Sequence, residues 1–265
     1  MNTAASPRSL KVATYNVNGI GARLPRLLDW LAAASPDIVG LQEIKTEAAR
    51  FPFDAVREAG YHALVHGQKG FNGVAILSKE PAVEMSRALP GDDEDMQSRW
   101  IEAHVSGMHF GCLYLPNGNP QPGPKFAYKL GWMARLNARA EALLASEAPV
   151  ILAGDYNVCP LDTDLARPDS MRDDALVQPE SRAAFRALAA QGWTDAIRAR
   201  HPHADIYSYW DYQAGAWQKN WGLRIDHLML SPAAADRLTD AGVDRSVRGE
   251  ERASDHVPAW VTLSV

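Results

Sequence analysis

The chain has 265 residues, of which 46% are hydrophobic, and its formal net charge at pH 7 is −5. A chain of this length and composition can bury a large core, and it lacks the run of roughly 18 apolar residues that a membrane span requires. The negative net charge argues against a protein that attracts nucleic acid over its whole surface, so a polyanionic partner needs a local positive feature.

Short strand-like segments recur along the chain and are separated by a few segments of helical spacing. Strands are predicted at residues 10–17, 37–42, 61–66, 73–78, 99–105, 108–115, 149–154, 224–230 and 258–265. Helices are predicted at residues 24–34, 125–145 and 180–191. Because no repeat, low-complexity tract or linker interrupts this order, we expect one catalytic domain over residues 10–265 after a flexible N-terminus, residues 1–9.

The predicted strands outnumber the predicted helices. This ratio argues against strict alternation of strand and helix, and it favours two sheets packed face to face with helices outside. Strand ends from both sheets would then meet along one edge and share a cleft.

The cysteines and the N-terminal residues indicate the compartment. Cys112 and Cys159 are the only two cysteines, too few for a disulfide framework or a thiolate metal site. We expect both to be buried, unpaired thiols in a reducing compartment. Since the first residues lack the apolar run of a secretory signal, a cytoplasmic protein without membrane attachment is expected.

The string GDYNVCP, residues 154–160, permits two interpretations. Gly, Asp and Asn commonly form the turn that follows a buried strand. Asp155 and Asn157 are equally suited to the floor of an active site. Turn statistics alone favour the ordinary turn, so the rest of the chain must decide.

Polar side chains also end or interrupt other predicted strands. They are Asn16, Asn18, Glu43, Lys45, Tyr114, Asn117, Asp226, Asp255 and His256. Asp226 lies within an apolar strand, where a carboxylate is costly unless it orients a histidine or binds a cation. Glu43 taken alone is as readily a solvated carboxylate.

The acidic and amide residues suggest a metal. Glu43, Asp255 and amide oxygens such as that of Asn16 are hard ligands, which suit Mg²⁺ or Mn²⁺ and not zinc. Because Mg²⁺ keeps several waters and takes few carboxylates beside a substrate phosphate, the set predicts magnesium-dependent phosphate chemistry.

The remaining residues fit the hydrolysis of a phosphodiester, which needs an oriented water and a stabilised leaving group. Asp155 can accept a proton from water, and Asn157 can hold that water or a phosphate oxygen. His256, oriented by Asp226, can donate to the phosphate. Tyr114 can hydrogen-bond a phosphate or leaving oxygen.

Seven motifs, in this order, resemble the exonuclease III type of abasic-site endonuclease, within the endonuclease/exonuclease/phosphatase superfamily. The motifs are TYNVNGI, DIVGLQEIK, HGQKGFNGVAIL, YLPNG, GDYNV, GLRIDHLML and SDHVP. The match runs from about Leu10 to the C-terminus. The resemblance implies an α/β fold, a four-layer α/β sandwich in which helices flank two packed mixed β-sheets.

The resemblance also implies an activity and a partner. The activity is Mg²⁺-dependent cleavage of DNA on the 5′ side of abasic sites, with 3′–5′ exonuclease and 3′-end trimming; Mn²⁺ can substitute. The partner is double-stranded DNA with abasic sites or 3′ ends, bound by a monomer.

Carried over position by position, the resemblance implies roles for individual side chains. The metal ligands are Glu43, Asn16 and Asp255. The catalytic residues are Asp155 and Asn157 at the nucleophilic water, Asp226 paired with His256, and Tyr114 at the scissile phosphate. Residues near the metal or the DNA backbone are Asn18, Lys45, Arg99 and Asn117.

Two other classes of function are open at this point. The motifs LQE, GD-x-N and SDH recur across the superfamily, so a phosphatase or lipid phosphodiesterase would show them too. The longer motifs HGQKGFNGVAIL and GLRIDHLML, together with Lys45, favour the DNA-repair branch. A silent binding module would be expected to have lost catalytic groups, and none is lost. His227, where relatives commonly have Leu or Tyr, is interpreted as a core residue.

Binding of DNA by an acidic protein requires a local surface. Six aromatic residues fall between Tyr207 and Trp221, and such a loop can line a pocket for a base-less sugar or stack on bases. Tyr209, Trp210 and Trp221 are therefore predicted to contact DNA. A positive rim is predicted from Lys45, Lys69, Arg99, Lys125, Lys219 and Arg224.

Overall fold

The computed structural model describes residues 9–265. Within this range the strands are β1 Ser9–Asn16, β2 Ile38–Gln42, β3 His62–His66, β4 Val74–Ser78, β5 Val83–Ser86, β6 Trp100–Val105, β7 Met108–Tyr114, β8 Val150–Asp155, β9 Thr194–Asp195, β10 Asp226–Leu230, β11 Leu238–Val243 and β12 Ala259–Ser264. The α-helices are α1 Ile20–Ala34, α2 Phe53–Glu58, α3 Pro124–Leu144, α4 Pro179–Ala190, α5 Ala196–Arg200 and α6 Pro232–Ala235.

The strands form two six-stranded mixed sheets. The first has the order β11-β12-β1-β2-β4-β3 and the second β5-β6-β7-β8-β10-β9. β1 pairs with β2 in parallel, as does β7 with β8, while the neighbouring pairs in both sheets are antiparallel. The predicted fold class is confirmed.

The sheets pack on each other through one apolar cluster, to which Val12 and Ile38 contribute from the first sheet and Phe110 and Leu228 from the second. The two approach closely at Gly40, where an added Cβ would lie 2.8 Å from the Sγ atom of Cys112. Central strands read as continuous apolar runs because both of their faces are covered.

The helices cover the outer faces of the sheets. Leu27 and Leu31 of α1 pack in the apolar cluster on the outside of the first sheet, and α3 and α4 cover the second. α3 begins with a proline at its first turn, where the missing N–H costs nothing. Its buried stripe repeats every three or four residues and comprises Phe126, Lys129, Trp132, Met133, Leu136, Ala140 and Leu143. A lysine in this stripe is unexpected.

The predicted strands and helices coincide with observed elements to within a few residues at either end. The prediction missed β5, β9 and β11 and the short helices α2, α5 and α6. β5 and β11 are sheet edges with mixed exposure, so they lack the clean alternation of a half-buried strand. The predicted flexible N-terminus lies outside the described residues except for Ser9, which begins β1.

Two further expectations concern the cysteines and membranes. Cys112 and Cys159 are free and buried, as predicted, and burial raises the pKa of the Cys112 thiol to about 12. Among residues 9–265, no helix is long and apolar enough to cross a membrane.

Candidate active site

The catalytic candidates meet at one edge of the sandwich, around a cleft of about 550 Å³. The pairing of β7, β8 and β10 places three of them on a single rung: Tyr114 and Asp226 both lie opposite Asp155. Asn16 ends β1 and Glu43 directly follows β2, in the facing sheet. The cleft therefore draws its polar groups from both sheets.

GDYNVCP is both a turn and part of this cleft. Asp155 ends β8, and its Oδ1 accepts the backbone N–H of Asn157 at 2.9 Å. Asn157 adopts a left-handed conformation with φ 47°, which asparagine tolerates better than most residues. The side-chain Nδ2 of Asn157 donates to the carbonyl of Leu115 at 2.9 Å, and its Oδ1 accepts from Nδ2 of Asn117 at 3.1 Å.

Asp226 and His256 form a buried pair. The Nδ1 atom of His256 lies 2.8 Å from Asp226 Oδ2, and its Nε2 atom lies 3.8 Å from Asp155 Oδ2. Burial alone would lower the pKa of His256, but the charge and hydrogen bond of Asp226 outweigh it and raise that pKa to about 10. The imidazole is thereby held protonated, with Nε2 directed toward Asp155.

Burial has the opposite consequence for the carboxyl group of Asp155. Removal from water raises its pKa to about 7, with a further contribution from Asp226 and against the effect of His256. Its Oδ2 accepts the Asn16 amide at 3.0 Å. A carboxylate of this kind exchanges protons near neutral pH, as a general base must.

The predicted metal ligands lie together beside this group. The Asn16 amide donates to Glu43 Oε1 at 2.9 Å, and the Asn18 amide donates to Asp255 Oδ1 at 3.0 Å. Lys45 bonds both Glu43, at 2.8 Å, and the side-chain oxygen of Asn18. Burial would raise the pKa of Glu43, yet the bonds from Asn16 and Lys45 lower it, so the carboxylate is ionised.

The donor set suits a hard divalent cation. The Oδ1 atom of Asp226 is buried and has no hydrogen-bond partner among the described residues, which leaves a carboxylate oxygen available to a cation. Asp155, Asp226 and His256 each place one polar side-chain atom within 4.8 Å of the others, and because His256 is held protonated, only the two carboxylates of this cluster can bind a cation. The side-chain oxygen of Asn16 already accepts the N–H of Asn18 at 3.0 Å, so it has one lone pair left for a metal.

Several residues at the cleft have a strained, left-handed backbone conformation. Asn18, Glu43 and Lys45 have positive φ angles of 46°, 50° and 53°. Residues in this conformation persist only where the surrounding structure holds them, and they are common at functional sites. Their loops are cross-bonded, because Gly19 donates to the carbonyl of Glu43 at 2.7 Å.

The structure divides the residues predicted to bind DNA. Tyr209 and Trp221 line the cleft, and the Trp221 ring lies 4.2 Å from both Arg167 and Lys219. Arg99 packs over the Tyr114 ring at 4.8 Å, beside the cleft. The exposed Asn117 also lines it.

Two predictions about this surface are wrong. Trp210 is 0% exposed and packs against Tyr207 and Trp217, so it cannot stack on DNA. Arg224 is also 0% exposed, and it bonds Asp164 at 2.7 Å and Asp195 at 2.8 Å. Arg224 therefore belongs to an internal ion network and is not part of the predicted positive rim.

His227 belongs to the same internal network. Its Nε2 atom lies 2.9 Å from the carbonyl of Val158, and its Nδ1 atom 2.9 Å from Arg224. Because a carbonyl can only accept and a guanidinium can only donate, His227 is a neutral imidazole with its proton on Nε2. It connects the Arg224 network to the residue after Asn157.

One wall of the cleft was missed by the sequence analysis. The segment after β8 contributes Arg167, Ser170, Met171 and Asp174 to the lining. Its residues have neither period nor motif, so only the positive charge of Arg167 offered a signal.

Comparison with known proteins identifies the family. The model of the Endonuclease/Exonuclease/phosphatase family matches residues 13–256. The chain belongs to this family. Exodeoxyribonuclease III of Haemophilus influenzae is 36% identical over 264 residues, which cover 95% of this chain and 98% of that relative.

Solved structures of the family agree closely with this fold. An AP endonuclease from Archaeoglobus fulgidus has a TM-score of 0.93 and 34% identity, covering 97% of this chain and all of that one (100%). The 3′ phosphatase NExo from Neisseria, bound to a product DNA hairpin, has a TM-score of 0.94 and 36% identity at the same coverage of 97% and 100%. The predicted family and enzyme class, a phosphodiester hydrolase of the DNA-repair nuclease type, are confirmed.

Proposed function

We propose that this protein is a Mg²⁺-dependent DNA-repair hydrolase that cuts on the 5′ side of abasic sites and trims 3′ ends. The observation that supports it most is the single rung of Tyr114, Asp155 and Asp226, with His256 bonded to its last member. Two of the similar proteins, an AP endonuclease and a 3′ phosphatase, carry out this same kind of phosphate chemistry.

The proposed reaction starts with a water held in the cleft. Asp155, whose pKa lies near 7, accepts its proton, and Asn157 orients it with the amide hydrogen and lone pair not used by Leu115 and Asn117. His256 donates from Nε2 to a non-bridging phosphate oxygen. Asp155, Asn157 and His256 all line the cleft, so each role uses a side chain at its surface.

Tyr114 serves the phosphate as a neutral donor. Burial, with the nearby charges of Glu43 and Asp155, raises its pKa well above the ordinary value. The hydroxyl therefore keeps its proton and can hydrogen-bond the phosphate or the leaving oxygen. Arg99 fixes the ring from one face and donates to the Tyr114 carbonyl at 3.1 Å.

A divalent cation, Mg²⁺ by preference and Mn²⁺ in its place, would be held by Glu43 with Asp255 and Asn16. When bound, it would neutralise negative charge on the phosphate and on the leaving oxygen. The ionised, partly buried Glu43 carboxylate supports this assignment.

The proposed substrate is double-stranded DNA, bound by a monomer in the cytoplasm. The Trp221 ring lies 4.2 Å from both Arg167 and Lys219, so an aromatic side chain and two cations occur together in the cleft of the catalytic residues. Such a surface suits a base or sugar together with its phosphates. Lys69 and Lys125 are exposed, as the predicted positive rim requires.

A comparison of phosphoester classes tests the proposal. The wild-type protein is incubated with a duplex bearing a 3′-phosphate, a duplex with one abasic-site analogue and an inositol phosphate, each with Mg²⁺ or with chelator. Magnesium-dependent reaction of both DNAs is expected. Release of phosphate from the inositol compound alone would identify a phosphatase of the same fold.

A further inference from the structure

Lys129 is a fully buried lysine of α3, with a relative exposure of 0%. It lies within the apolar stripe that faces the second sheet, between Phe126 and Trp132. Lysine is almost never completely buried without a partner, because removing an ammonium group from water is costly. Burial lowers the pKa of Lys129 to about 7, which reflects this cost.

The partners of Lys129 are two backbone carbonyls at the cleft. Its Nζ donates to the carbonyl of Asn157 at 2.5 Å and to the carbonyl of Asn117 at 3.1 Å. Over residues 9–265, no other hydrogen bond to either carbonyl is present. Charged or neutral, the amine carries the N–H groups for both bonds.

These two carbonyls belong to the loops that follow β7 and β8. The side chains of the same residues meet in the cleft, where the Asn117 amide donates to Asn157 at 3.1 Å. The two loops are thus connected twice, by Lys129 through their buried backbone carbonyls and by the Asn117 and Asn157 side chains in the cleft. The neighbouring Gly118 leaves room for this arrangement, since an added Cβ would lie 2.6 Å from Cδ of Lys129.

We propose that Lys129 is a positioning residue of the nuclease, which holds the loops of Asn117 and Asn157 at the spacing that hydrolysis requires. This carbonyl clamp, formed by Lys129 and the two carbonyls, rests on the proposed function. Lys129 does not touch the substrate, because its amine is enclosed beneath the loops. It acts through the left-handed backbone of Asn157, which needs an external tether.

Substitution of Lys129 by methionine tests the clamp, because methionine keeps most of the stem and removes every donor. A misplacement of about 1 Å can cost roughly 100-fold in rate, so kcat on a 3′-phosphate duplex is expected to fall between about 10- and 100-fold. The KM for DNA is expected to change less than kcat, because Tyr209 and Trp221 line the cleft from outside the two clamped loops. Lys129→Arg, which restores N–H donors, is expected to recover part of kcat.

Arg139→Met supplies the matched control on the same helix. Arg139 also bonds a buried partner, Glu102, but neither residue lines the cleft, so this variant is expected to lose stability and keep kcat. Rates are normalised to the folded fraction measured by near-UV circular dichroism. If Lys129→Met keeps kcat within about threefold of wild type, or loses no more than Arg139→Met, the clamp is refuted.

A crystal structure of Lys129→Met separates this inference from the proposed function. The clamp predicts that the Asn117 and Asn157 side chains move out of hydrogen-bond distance. If both loops keep their wild-type positions in this variant, the clamp is refuted, whether or not the protein is a nuclease. An inactive wild type would refute the proposed function alone. Should the methionine variant fail to fold, Lys129→Gln, which keeps a shorter donor, undergoes the same measurements.

Discussion

Replacing Arg224 by methionine should destabilise the protein strongly without acting on the DNA-binding surface. The guanidinium bonds Asp164 at 2.7 Å, Asp195 at 2.8 Å and the His227 ring at 2.9 Å, and all of its surface is buried. Asp164 keeps a second partner in Arg198, whereas Asp195 would be left with His227 as its nearest base. Removing one partner of a buried ion pair typically costs about 3–5 kcal/mol.

Urea-induced unfolding, followed by tryptophan fluorescence, measures this loss as the difference in free energy of unfolding between wild type and Arg224→Met. The slope of DNA affinity against salt concentration, measured on the folded variant, is expected to remain that of wild type, since a buried cation neutralises no phosphate. A destabilisation below about 1 kcal/mol, or a salt slope reduced by about one, would show that Arg224 faces solvent and DNA.

Three more substitutions test separate parts of the structure. Trp221→Ala should weaken DNA binding in fluorescence anisotropy by about 1–3 kcal/mol, the usual contribution of a stacked base, and unchanged affinity would remove this ring from the DNA surface. Burial alone would raise the pKa of Glu102, but bonds from His109 and Arg139 lower it to about 2. The ionised Glu102 therefore stabilises the fold fully above its unfolded pKa of about 4.5, and this stabilisation is lost as the pH falls toward 2. The stability gap between wild type and Glu102→Gln, about 3 kcal/mol near neutral pH, should therefore close in acid, and a gap independent of pH would contradict this. Asp155→Asn should abolish cleavage while the thermal melting curve remains cooperative; residual activity above about 1% of wild type would assign the general base to another group.

The central strands and the catalytic rung could be predicted from the sequence because they depend on local rules. Apolar runs of five or six residues mark strands covered on both faces, and a polar residue at the end of such a run is placed at the sheet edge. Asp155 and Tyr114 follow this rule. Asp226 follows a second one, that a carboxylate within an apolar strand requires a partner, and it has His256.

The environments of Trp210, Arg224 and Lys129 could not be predicted in the same way. Trp210 lies in an irregular segment, where no period separates buried from exposed side chains. Arg224 is buried because Asp164 and Asp195, distant in sequence, converge on it. Lys129 did carry a signal, its place in the apolar stripe of α3, but its carbonyl partners come from two loops that only the tertiary fold brings together.

The arrangement of Asp155, Asn157, Asp226 and His256 around one cleft is tested most directly on a labelled duplex with a single abasic-site analogue. With Mg²⁺, the wild-type protein should cut the strand immediately 5′ to the lesion and leave a shortened product with a 3′-hydroxyl end. Chelator should prevent the cut. An intact lesion strand after incubation of the folded protein with Mg²⁺ would contradict the proposed incision activity.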